Sequence, residues 1–261
     1  MIRSYWQLSE ENRMSRASDS TTSVLGQKRT MMYNQVTSCP DMEPEFLQIY
    51  EACHPFTMTS LERMYALYKS VLHLELAHIP GDIVESGIWQ GGSAMVCALT
   101  LLQAGTIDRT IHLYDTFDGM PEPTDHDCDY AGNHASARLS AAAPTFNDLG
   151  RVDYHEVRER LLATGYPESR IHLVRGRVEE TIPAHAPDTI ALLRLDTDWY
   201  TSTRHELEHL YPKLSPGGVL LIDDYGHWKG SREAVDEYFQ TTAHPILLNR
   251  IDYTGRIGVK P

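Results

Sequence analysis

Four aspartates stand where two apolar runs stop. Leu192-Leu193-Arg194-Leu195 runs into Asp196 and, two residues on, Asp198; Leu220-Leu221-Ile222 runs into Asp223 and Asp224. Such a run ending on acids reads as a buried parallel strand reaching the edge of its sheet. Open α/β sheets bind ligands beyond the carboxyl ends of their strands, so two neighbouring strands of this kind bring all four acids into one crevice. Carboxylates crowded together repel, and their pKa values rise unless a cation neutralises them. Oxygen ligands without nearby Cys or His favour Mg2+, Mn2+ or Ca2+ over Zn2+. Either acid pair alone also fits a helix cap or a turn. Two such ends joined by one helix-length connection favour the metal.

A second candidate site precedes them. Asp82 to Ser86 reads as a short strand, and Gly87-Ile88-Trp89-Gln90-Gly91-Gly92-Ser93 as a glycine-rich turn opening a helix through Ala94, Val96, Leu99 and Leu102. Glycines there let a ligand approach the backbone, and a helix start offers unpaired N–H groups. The spacing is neither GxGxxG nor a phosphate loop, so no dinucleotide or triphosphate is specifically indicated. Thr110 to Asp115 reads as the next strand, and its terminal Asp115 is positioned to accept hydrogen bonds from ribose hydroxyls, with a turn cap as the alternative.

The elements that must carry these residues follow from periodicity. Helices are expected over Met42–Cys53, from Thr59-Ser60-Leu61-Glu62 through Leu72, over Asp153–Ala163, over Ser202–Leu214 and over Arg232–Phe239. Ser215-Pro216-Gly217-Gly218 reads as a turn, Arg170–Arg175 as a third strand, and Ile246–Arg250 and Arg256–Val259 as terminal strands. The alternation supports one doubly wound sheet. Thr124–Gly150 is polar, contains His126 and His134, and is expected to be a substrate-facing insertion.

The 261 residues suit one large α/β domain with additions, and the net charge of −13 argues against nucleic-acid or anionic-membrane partners. Residues 1–30 lack periodicity and read as a mobile arm, 31–80 as a helical cap, and 81–261 as the main domain. Cys39, Cys53, Cys97 and Cys128 show no CxxC spacing and no secretory leader precedes them, so they are expected to be reduced thiols in a soluble cytoplasmic protein. No apolar run approaches the roughly 18 residues of a membrane span. A homo-oligomer is expected, with the leading segment covering a neighbour's site.

The motifs GDIVESGIWQGGSA, YDTFDGMPEP, RGRVEETIP, LLRLDTDWYTST and YPKLSPGGVLLIDDYGHWKGSREAVDEY occur in that order, followed by an Ile-Asp, Tyr and Gly pattern. From about Thr57 to the C-terminus the chain resembles the TylF/MycF/NovP, or macrocin-type, O-methyltransferases. The resemblance implies a Rossmann-like class I methyltransferase with a seven-stranded, mostly parallel sheet and helices on both faces. It also implies methylation of a sugar hydroxyl on a glycosylated small molecule, using S-adenosylmethionine and Mg2+ or Mn2+. By position, Glu85, Ser86, Gly87, Gly91 and Ser93 would surround the methionine part of the cofactor, with Thr57 and Met58 closing over it. Asp115, Thr116 and Phe117 would lie at the ribose, and Gly176 and Arg177 near the adenine. Asp196, Asp223 and Asp224 match the metal ligands.

A sugar hydroxyl is a poor nucleophile, and a metal lowers its pKa and orients it. Asp198 is the first choice for the base that completes deprotonation, followed by Asp196 or His134; His227 is as readily structural. Two alternatives stay open: a catechol or other vicinal diol as acceptor, and a noncatalytic relative that binds the cofactor or a partner protein.

Overall fold

The computed structural model describes residues 39–137, 150–242 and 245–261. The expected arm at 1–30, the start of the cap and most of the second half of the insertion lie outside these residues.

Two helices lead the chain. Helix α1 (Pro44–Cys53) starts with proline at its first position and buries Phe46, Ile49, Tyr50 and Cys53. Helix α2 (Leu61–Leu76) is capped by Ser60, whose Oγ accepts from the Arg63 N–H, and buries Leu61, Met64, Leu67, Tyr68, Val71 and Leu74. Then come β1 (Asp82–Ser86), α3 (Gly92–Ala104), β2 (Ile111–Asp115), α4 (Tyr154–Ala163), β3 (Ile171–Arg175) and the single turn α5 (Val178–Thr181). The chain closes with β4 (Ile190–Leu195), α6 (Tyr200–Leu210), β5 (Leu214–Ile222), α7 (Lys229–Thr241), β6 (Asn249–Arg250) and β7 (Arg256–Val259).

The sheet has seven strands in the order β3-β2-β1-β4-β5-β7-β6. The first five are parallel, and β7 is antiparallel to both β5 and β6. Strand order therefore reverses between β1 and β4, which opens the switch-point crevice expected for ligands. Alternation assigns the two faces. Ile83, Leu192, Val219 and Leu221 pack with α1 to α4 in one core, whereas Val84, Leu193, Leu195, Leu220 and Ile222 pack in another with α6 and α7. The leading helices thus share a continuous core with the sheet. Cys53 and Cys97 are buried free thiols in that core, their pKa values pushed up by burial.

Three boundaries differ from expectation. Helix α6 ends at Leu210 and a 3-10 turn, Tyr211–Lys213, leads straight into β5, so Ser215-Pro216-Gly217-Gly218 lies inside that strand. The pairing with β4 jumps from Ile190↔Leu214 to Leu192↔Val219 across these residues. Proline offers no N–H to the ladder, and Gly217, at φ 78°, donates instead to the Lys260 carbonyl at 2.8 Å. The final helix begins earlier, at Lys229, and the first terminal strand is only Asn249–Arg250.

Candidate active site

Register creates the acid cluster. Ser86, Leu195 and Ile222 lie in one row across β1, β4 and β5, so Gly87, Asp196 and Asp223 leave the sheet together. Gly87 has φ 78°, and a Cβ there would come within 1.9 Å of the Asp196 carbonyl oxygen. Only glycine allows that approach. The Asp196 N–H donates to the Ser86 carbonyl and the Asp223 N–H to the Leu195 carbonyl, at 3.0 and 2.9 Å. Among the described residues, carboxylate oxygens of Asp196, Asp223 and Asp224 all fall within 4.8 Å of one another.

These acids are partly neutralised from within. Glu85 and Arg194 are directly paired across β1 and β4. Both face the side from which α2 approaches, and Arg194 reaches Glu85 at 2.5 Å, Asp196 at 2.8 Å and Asp223 at 2.7 Å. It also donates to Thr59 Oγ1 at 3.0 Å. The other oxygen of Asp223 meets Arg63, which extends to Asp252 at 2.9 Å. Burial pushes the carboxyls of Asp196 and Asp224 well above their ordinary range; Arg194 opposes this at Asp196, and neighbouring acids reinforce it at both. Three hard oxygen donors at this spacing suit Mg2+ or Mn2+, and such an ion would reverse those shifts.

Asp198 sits in a sharp turn beyond β4 at φ 67°. Its N–H donates to Asp224 Oδ2 at 3.1 Å, and its own Oδ1 accepts from Trp228 Nε1 at 2.7 Å. Burial, then the charge of Asp196, raises its pKa to about 7, with the Trp228 hydrogen bond opposing. Trp89 and Phe117, in the turns after β1 and β2, also have positive φ. Strained turns thus follow three adjacent strand ends, the kind of cost retained at functional sites.

A cavity of about 350 Å³ runs from the acids toward β2, a size that suits a small-molecule ligand. Asp196, Asp198, Asp223 and Asp224 line it, as do Thr57, Met58, Gly87, Ser93, Asp115, Thr116, Gly176 and Arg177. Glu85, Ser86, Gly91 and Phe117 are not among its lining residues. Glu85 is turned inward to Arg194, its pKa raised to about 7 by burial, with the Arg194 guanidinium opposing the rise; its Oε2 is buried without a hydrogen bond. Gly91 opens α3 at φ 86° against Val157. Asp115 accepts from the N–H groups of Ile88 and Trp89 on Oδ2, at 2.9 and 3.0 Å, and from Phe117 on Oδ1 at 2.8 Å. Its carboxylate therefore ties the glycine-rich turn to β2 while facing the cavity. His227 lines the cavity; His134 does not, and its ring nitrogens lie 2.9 Å from the Thr124 carbonyl and 2.6 Å from Ser136 Oγ.

The macrocin-O-methyltransferase (TylF) model matches residues 22–257. The chain belongs to that family. It is 32% identical over 216 residues to the 8-demethyl-8-(2,3-dimethoxy-alpha-L-rhamnosyl)-tetracenomycin-C 4'-O-methyltransferase of Streptomyces olivaceus, covering 83% of this chain and 80% of that one. It is 34% identical over 183 residues to the mycinamicin III 3''-O-methyltransferase of Micromonospora griseorubida, covering 70% and 69%. The solved O-methyltransferase NovP superposes with a TM-score of 0.68 at 30% identity, over 78% of this chain and 82% of that one.

Within this macrocin-type chain, the four acids and Asp115 were legible as strand-end residues, but their supports were not. Arg194 interrupts an otherwise apolar strand, and that interruption is the signal that sequence reading passed over. Arg63 lies on a helix far from the acids in sequence. Glu206, fully buried on α6, accepts from Thr197 Oγ1 at 3.1 Å and so backs the turn between Asp196 and Asp198. Nothing in the sequence singled out this position, because a lone acid on a helix reads as solvated until the turn it backs is folded against it.

Proposed function

We propose that this chain transfers the methyl group of S-adenosylmethionine to a hydroxyl of a deoxysugar on a glycosylated natural product, with Mg2+ or Mn2+ held by Asp196, Asp223 and Asp224. One observation carries the reading: the carboxylate cluster and the Asp115 pocket open into a single cavity at the switch point of the sheet. The family and the rhamnosyl group in the name of the Streptomyces olivaceus relative support the acceptor class.

The donor side consists of Thr57, Met58, Gly87, Ser93, Asp115, Thr116, Gly176 and Arg177. Glu85, Ser86, Gly91 and Phe117 shape it from behind, and the Asp115 carboxylate faces the cavity from the end of β2. Residues 31–80 act as a cap, consistent with Thr57, Met58, Thr59 and Arg63 at the cavity wall. When bound, the cation supplies Lewis acidity to the acceptor hydroxyl, and the sulfonium supplies an activated methyl group. Asp198 takes the hydroxyl proton, held toward the cavity by Trp228. Arg194 and Arg63 keep Asp223 oriented.

The test is product mass analysis with S-adenosylmethionine and a panel of deoxysugar glycosides and catechols, with Mg2+ and then with EDTA. The expected result is a gain of one methyl mass on a glycoside only when Mg2+ is present. Full transfer in EDTA would remove the metal, and transfer only to catechols would remove the sugar. Asp115→Ala should weaken donor binding in calorimetry. The homo-oligomer belongs to the same proposal, and a monomer mass by light scattering would end that part of it.

A further inference from the structure

Among the described residues, large hydrophobic side chains left mostly in water are few; of the two aromatic ones, Tyr253 lines this cavity and Tyr130 packs against His227, which also lines it. Tyr130 is 66% exposed and Tyr253 is 60% exposed. Single exposed apolar residues are ordinary; aromatic rings collected beside a cavity that holds a carboxylate cluster are not.

Three segments bring them there. Tyr130 follows Asp129, which bridges to Trp228, so the insertion is pinned beside His227. Tyr253 arrives on the turn between β6 and β7. The Gly226 N–H donates to the Thr254 carbonyl at 2.9 Å, and Thr254 Oγ1 donates to the Asp223 carbonyl at 2.7 Å. A Cβ on Gly226 would meet the Tyr253 carbonyl oxygen at 2.0 Å, so glycine is what lets the two turns meet. His227 lies between the rings. Its ring centroid is 5.6 Å from that of Tyr130 and 6.0 Å from that of Tyr253, both edge to face, and the Tyr253 hydroxyl is 3.0 Å from its Nδ1. The His227 N–H donates to the Asp224 carbonyl at 2.9 Å, so this aromatic group borders the acid cluster directly.

We propose that Tyr130, His227 and Tyr253 form an acceptor subsite that holds a flat, apolar aglycone while the attached sugar reaches the acids. This rests on the function proposed above and adds the chemical class of the group that carries the sugar. Aromatic rings offer such a group area and edge-to-face contact at little conformational cost, and their polar tips keep them compatible with water when the site is empty of acceptor. The net charge of −13 favours a neutral or cationic aglycone over an anionic one.

The test compares 4-nitrophenyl and methyl α-L-rhamnopyranoside by calorimetry on the full chain with Mg2+ and S-adenosylhomocysteine present. The unaltered protein is expected to bind the aryl glycoside about ten-fold more tightly than the methyl glycoside. Tyr130→Ala and Tyr253→Ala should each cut that ratio by about three- to ten-fold, whereas Tyr253→Phe, which keeps the ring, should retain it. S-adenosylhomocysteine affinity in each variant reports whether the fold is intact. A ratio near one, no binding of the aryl glycoside, or a ratio unmoved by both alanine variants overturns the subsite. Methyl transfer to no acceptor at all would instead overturn the enzymatic reading, so the two failures are distinct.

Discussion

Asp223 accepts a guanidinium on each of its oxygens, Arg194 on Oδ1 and Arg63 on Oδ2. The site is therefore a network of both signs rather than four bare carboxylates. Arg194→Met keeps most of the volume and leaves Glu85, Asp196 and Asp223 short of a buried counter-charge. Removing one partner of a buried pair costs roughly 3–5 kcal/mol, and urea unfolding should read a loss of that order. Arg194→Lys should recover only part of it, because an ammonium lacks the fork that reaches three acids at once. Unchanged stability in Arg194→Met would mean that protonation, not Arg194, neutralises the acids. Asp196→Ala and Asp224→Ala should each weaken Mn2+ binding in calorimetry and lower methyl transfer on the order of 10²-fold or more. Retained Mn2+ affinity in both variants would exclude them as ligands.

At the level of elements, the close approach of the β1 and β4 ends decides where the acids emerge. Gly87 and Gly105 share a φ of 78°, yet a Cβ at Gly87 collides with the Asp196 backbone and one at Gly105 meets nothing within 4 Å. Backbone conformation alone costs an alanine about 1 kcal/mol at such a position. Gly105→Ala is expected to lose about that much, and Gly87→Ala to lose clearly more together with Mn2+ affinity, because the Asp196 turn must move. Equal losses in thermal unfolding would show that the strand ends separate freely, and the glycine would then serve only the turn.

For the whole molecule, charge state links stability to pH. Asp198 and Glu85 have ordinary values of 3.8 and 4.5, and both are raised to about 7 in the folded chain. A carboxyl raised on folding still holds a proton that the unfolded chain has released, so this contribution to stability falls as pH rises from about 4 to about 7. Groups shifted downward, such as Asp82 and Asp252, are ionised in both states across the upper part of that window and do not offset it. A divalent cation favours the ionised acids. Calorimetric scans should therefore give a larger gain in Tm from Mg2+ over EDTA at pH 8 than at pH 5.5, by on the order of a few degrees. An equal gain at both values would separate the raised carboxyls from the metal.

Short-range pattern was enough for much of this molecule. Apolar runs of strand length, helical spacing and polar caps placed α2, α4 and the parallel strands other than the start of β5 within a few residues, and the acids at the ends of β4 and β5 announced the site because solvent begins where the apolar run stops. The motif order carried the family. Sheet register and packing decided the rest. Glu85 and Ser86 stand in the GDIVESG motif, yet Glu85 turns to Arg194, 109 residues away, because strand alternation and the pairing of β1 with β4 put both side chains on the same face. Arg63 reaches Asp223 across 160 residues, and Tyr130 meets His227 only because the insertion docks on the turn before α7. Pro216 and Gly217 read locally as a turn but are carried by neighbours that complete the strand around them. Periodicity along a chain reports which way a side chain points; which partner it finds depends on strands and helices far apart in sequence, and that choice is made only in the folded molecule.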